Sequence, residues 1–175
     1  MGNSRLLAGM MFVLFIPLVF SGCNGVGHSN LSKGEAGYIT HISENSILVN
    51  DIVFSAKNDV EVVSAKGKKR SFADLEIGMK VEPWFDGTVR ESFPAQADVN
   101  RIVVLSEKGQ ERIQKAVQSI VEYATAHFGN TVVFQETIVN DTYFQAKIAG
   151  VTIEHPNSVT VRYDFATKQV EEQVE

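Results

Sequence analysis

At 175 residues and 44% hydrophobic side chains, the chain has room for one full domain or two small ones, and it is too apolar for a disordered tail. A formal charge of −5, from 16 basic and 21 acidic residues, excludes the broad basic face that nucleic-acid binding requires. The single cysteine rules out an intrachain disulfide, so an exported body would be held by its core alone.

In chain order, residues 1–22 are expected to form a secretory signal. Arg5 supplies the positive end and is the only charge before Cys23, residues 6–20 are an uncharged run, and Ser21 and Gly22 are the small residues before the cut. That run is shorter than the roughly 20 apolar residues a membrane span needs, and Pro17 interrupts it. Phe20-Ser21-Gly22-Cys23 resembles the lipobox of bacterial lipoproteins, departing from it in Phe20, where leucine is usual. The resemblance implies that the Cys23 sulfur carries a diacylglyceryl group and that Cys23 becomes the first residue of the mature chain. Two acyl chains anchor stably, because each buried methylene contributes about 0.8 kcal/mol. N-myristoylation at Gly2 is excluded, since Leu6 stands where Ser or Thr is required. Residues 23–34, rich in Gly, Ser and Asn and with His28 solvated among them, are expected as the lipidated flexible tether. The expected location is the extracytoplasmic side of the cell membrane.

Residues 35–106 carry short β-runs separated by turn residues, at 36–42, 47–54, 59–63, 79–85 and 97–105. Five such strands, with a helical turn over 72–78 plugging one end, point to a small OB-like β-barrel. Gly37-Tyr38-Ile39-Thr40 and the stretches 75–87 and 91–97 together resemble an uncharacterised family of Gram-positive lipoproteins, the YobA-like family. The resemblance implies export and a barrel, and brings no activity with it.

The 91–97 loop has two readings. Pro94 fixes its own φ and holds Phe93 extended, which stiffens the loop and offers Phe93 as a cover for one barrel end. Alternatively Trp84, Phe85, Glu91, Ser92 and Gln96 form a ligand-binding site at the barrel mouth. Lys66, Lys68, Lys69 and Arg70 read as a solvated hairpin tip, or as a contact for an anionic wall polymer or lipid headgroups.

Residues 107–175 form the second unit. Over 107–128, Ile113, Ala116, Val117, Ile120, Val121, Ala124 and Phe128 recur at helical spacing on one face, with His127 suiting the C-terminal dipole and Gly129 as the stop. Strands follow at 131–139 and 142–149, joined at Asn140-Asp141, and then at 158–165 and 169–174. The expected class is α+β, a barrel followed by a helix packed on an antiparallel meander, similar to cystatin-like domains in general layout only.

No catalytic constellation emerges. His28, His41, His127 and His155 are scattered singly, so no zinc pattern forms, and no phosphate loop, dinucleotide fingerprint or nucleophile elbow is present. With no cofactor implied, the leading expectation is a non-enzymatic binding or interaction module, contacting an envelope protein or cell-wall polymer. The alternative is an envelope enzyme, hydrolase-like, working through the 91–97 loop.

Overall fold

The computed structural model describes residues 31–105, 110–129, 131–149 and 157–173. Cys23, His28, His155 and the expected signal segment lie outside the described residues.

The first unit comprises β1 (Ser32–Lys33), β2 (Gly37–Ile42), β3 (Ser46–Val49), β4 (Ile52–Ser64), β5 (Lys69–Arg70), a 3-10 turn (Phe72–Asp74), β6 (Lys80–Phe85) and β7 (Ala95–Val104). β2 pairs antiparallel with β3 and β6, and β3 pairs antiparallel with β4. β4 runs parallel to β7, and β7 returns antiparallel to β6, so five strands close into a barrel. Period-two alternation explains its filling: Val81, Pro83 and Phe85 of β6 are buried, while Lys80, Glu82 and Trp84 face outward and are less so. Ile39, Ile47, Val49, Phe54, Ile102 and Val104 are sealed from solvent inside. Ser71 and Asp74 cap the 3-10 turn reciprocally, and Leu75 directly after it joins the barrel core.

Two strands differ from the sequence expectation. The run 47–54 is a hairpin rather than one strand, because Asn50 takes a left-handed φ of 54° and the chain turns between Val49 and Ile52. The segment 59–63 is not separate either; β4 continues through it from Ile52 to Ser64, with a register shift against β7 between Ala56 and Glu61. Apolar triplets on both sides of Asn50-Asp51 hid the turn there, while a polar stretch within a bulged strand imitated a turn. The split and the merger offset each other, leaving five barrel strands. Ser32 and Lys33, expected within the tether, instead pair with Phe85 and Trp84, and the Gly34 amide donates to the Pro83 carbonyl at 2.8 Å.

The second unit is α1 (Glu111–Phe128) and a sheet of β8 (Phe134–Val139), β9 (Tyr143–Ile148), β10 (Val159–Asp164) and β11 (Val170–Gln173), antiparallel in the order β11-β10-β9-β8. Ala116, Val117, Ile120, Val121, Ala124 and Phe128 are the buried residues of α1, all from the face read in the sequence. Gly129 caps the helix at φ 106°. His127 has a structural place: its Nδ1 donates to the Tyr123 carbonyl at 2.7 Å, and its ring stacks on Tyr123 at 4.1 Å.

The core of this unit extends onto the outer face of the barrel. Tyr38 of β2 shares one buried cluster with α1 and the sheet, meeting Phe144 edge-on at 5.3 Å. Leu48 of β3 packs with Val133 and Ala149. Side chains of α1 bind the segment before β6, Gln114 to Glu76 at 2.8 Å and Gln118 to the Ile77 carbonyl at 3.1 Å. Tyr38, next to the inward Ile39, thus gives β2 two buried faces.

Candidate functional site

The five residues grouped from the sequence lie around the loop joining β6 to β7, but they do not converge. Trp84 and Phe85 are consecutive on a strand and so point to opposite faces. Phe85 is inside the barrel, its ring 5.5 Å from that of Phe54. Trp84 is outside, its indole N–H donating to Glu82 at 2.9 Å, and Glu82 in turn pairs with Lys33 at 2.6 Å. Glu91, Ser92 and Gln96 are all exposed.

The loop is ordered by its own hydrogen bonds. Asp86 accepts from the Thr88 amide at 2.8 Å, Ser92 donates to the Pro94 carbonyl at 2.6 Å, and the Arg90 and Gln96 backbones exchange two bonds. Phe93 does not cover the barrel end; it is 61% exposed, beside a cleft also lined by Asp51 and Val133. Arg90 folds back onto Asp98 of β7, at 3.2 Å, and Lys57 of β4 reaches the same carboxylate at 3.2 Å. These two cations, Lys57 first, hold the Asp98 carboxyl below the ordinary aspartate range.

A pH dependence follows with a definite sign. Because the folded-state value is the lower one, Asp98 stabilises the fold above the ordinary aspartate range, and that contribution fades as pH falls through the lowered value. Urea midpoints measured across that acid range are expected to fall less steeply for Asp98→Asn than for the parent chain. Equal slopes would show that the clamp on the loop contributes nothing.

Other concave surfaces involve residues that sequence reasoning did not gather. A groove of about 360 Å³ lies between the barrel and the edge strand β8, walled by Glu35, Tyr38, Lys80 and Glu136. Ile138 and Val139 of that strand are exposed at 49% and 40%. A cavity of about 400 Å³ lies between α1 and the β10–β11 turn, lined by Arg112, Lys115, Ser119, Tyr163, Phe165 and Lys168. The basic cluster at 66–70 is a hairpin tip, with Val63 opposite Lys69 and a left-handed Gly67 at the turn. Among the described residues, no three His, Cys, Asp or Glu side chains gather in a way that could hold a metal ion.

Comparison with known proteins bears on the barrel alone. Residues 36–106 match a family described as protein of unknown function (DUF3221), so a domain of unknown function covers β2 through β7. No curated protein and no solved structure matches the chain.

Proposed function

We propose that this chain is a lipid-anchored extracytoplasmic protein of the YobA-like kind, whose folded body is a non-enzymatic binding module for an envelope protein or cell-wall polymer. The observation that carries the reading is Phe20-Ser21-Gly22-Cys23 closing a signal-like segment, followed by only eight residues before strand pairing starts at Ser32. Eight residues extend to about 26–29 Å at most, at about 3.3–3.6 Å each. With Cys23 acylated, the barrel end that holds β1 stays within that distance of the lipid surface.

The barrel is best described as OB-like: its order β6-β2-β3-β4-β7, closed by β7 on β6 with a single parallel pair, supports that description. In such barrels an outer strand face and the adjoining loops commonly serve as the binding surface. Here Tyr38 and Leu48, on the outer side of β2 and β3, are already buried against the second unit. Recognition therefore falls to the seams and clefts around the body rather than to an open platform.

The anchor is tested by metabolic labelling with a palmitate analogue. The parent chain is expected to incorporate label and Cys23→Ser to lose it entirely, while an unlabelled parent would overturn the anchor. Cross-linking in intact cells tests the interaction: a reproducible protein or wall-polymer adduct is expected, and its absence counts against a binding role.

A further inference from the structure

The cavity beside α1 concentrates positive charge in a chain that is acidic as a whole. Arg112, Lys115 and Ser119 stand three and four residues apart on α1, hence on one stripe of the helix. Opposite them stand Tyr163 and Phe165, in edge contact at 6.0 Å, and Lys168 in the turn that leads to β11. Three cations thus surround about 400 Å³ with two aromatic rings in its wall.

The three cations have different duties. Arg112 is committed to the wall: its guanidinium lies 4.7 Å over the Phe165 ring and 3.6 Å from Asp141. Lys115 and Lys168, by contrast, carry no ion pair to any described residue, although acidic residues outnumber basic ones in the chain.

Lys168 is also held in place. Its backbone is left-handed at φ 60°, a conformation uncommon for residues other than Gly, Asn and Asp. Its amide donates to the Asp164 carbonyl at 2.8 Å, while the Asp164 carboxylate accepts from the Ala166 and Thr167 amides at 2.9 and 2.8 Å. The turn is therefore built by Asp164, and it delivers a lysine to the cavity rim.

We propose that this cavity binds a phosphate carried on a ring-bearing or other flat apolar group, with Lys115 and Lys168 taking the phosphate oxygens and the half-buried Phe165, backed by the buried Tyr163, covering the ring. Two uncompensated ammonium groups match a dianionic phosphate better than a single carboxylate. The aromatic wall adds contact area that a bare inorganic anion would leave unused. Ser119 supplies a hydroxyl donor at the same rim. This inference deepens the reading of the chain as a binding module; it does not depend on the lipid on Cys23.

Phenyl phosphate is the probe, titrated into the full chain in mild detergent and followed by amide NMR. Saturable shifts are expected around residues 112–119 and 163–168, with inorganic phosphate and phenol each binding at least about tenfold more weakly, a difference of about 1.4 kcal/mol. In Lys115→Gln with Lys168→Gln, phenyl phosphate is expected to weaken by at least about tenfold, with an unchanged helical circular dichroism signal. Both lysines are exposed, so the fold should tolerate the pair of changes. The proposal is overturned if phenyl phosphate does not saturate, if the double variant binds it equally, or if inorganic phosphate binds as tightly. Such failure would remove this cavity while leaving the cross-linking result, and so the wider binding role, intact.

Discussion

Phe144→Ala is expected to cost about 3–5 kcal/mol, the range for removing a phenylalanine from a tight core. Phe144 is fully buried on β9, with Tyr38 edge-on at 5.3 Å and Phe134 at 6.3 Å. A loss of that size is a large share of the roughly 5–15 kcal/mol that holds an ordinary domain folded. Its reach matters as much as its size, because Tyr38 belongs to the barrel while Phe144 belongs to the sheet. The two units should therefore unfold together. In urea, emission from Trp84, the only tryptophan and a barrel residue, should follow the same transition as the helical circular dichroism signal of α1. Both midpoints are expected to fall together in the variant. Separate transitions, with the Trp84 midpoint unmoved by Phe144→Ala, would show that the buried seam does not couple the units.

Gly78→Ala attacks the same seam from the backbone side. Gly78 has a φ of 87°, and a Cβ placed there would lie 2.5 Å from the Gln114 carbonyl oxygen of α1. The left-handed conformation costs a residue with a side chain about 1–2 kcal/mol, and forcing the helix away adds about 1–3 kcal/mol more. Together the expected loss is about 2–5 kcal/mol. Gly67→Ala provides the comparison, since Gly67 has a similar φ of 79° but a Cβ there meets nothing within 4 Å. That variant should lose only the conformational part, about 1–2 kcal/mol. Equal urea midpoints for the two variants would mean that α1 does not press on the segment before β6.

Much of this architecture is legible in the residues, and the failures have physical causes. The apolar stripe of α1 survives in the fold because 3.6-residue periodicity depends on local geometry alone. The Asn140-Asp141 hairpin is equally local, with Asn140 accepting from the Thr142 and Tyr143 amides at 2.8 and 2.9 Å. Asn50-Asp51 carries the same chemistry but is flanked by Ile47-Leu48-Val49 and Ile52-Val53-Phe54, so hydrophobic continuity masked the turn. The burial of Leu48 is legible in Ile47-Leu48-Val49, where consecutive apolar residues leave no polar face for water, whereas the Tyr38 face of β2 also carries polar Thr40, so its burial is not.

Trp84 and Phe85 are neighbours on one strand, and strand alternation alone keeps them from facing one site. The cavity beside α1 could not be found by motif. Its cations come from one helix and a turn about fifty residues later, and singly each resembles a solvated surface lysine or arginine. Only the packing of Tyr163 and Phe165 into the same wall distinguishes it.

The account of function rests on what the sulfur of Cys23 carries. Mass spectrometry of the N-terminal peptide from membrane-extracted protein tests it most directly. The expected species begins at Cys23 and bears a diacylglyceryl thioether; a peptide that retains residues 1–22, or an unmodified Cys23 thiol, would contradict the account.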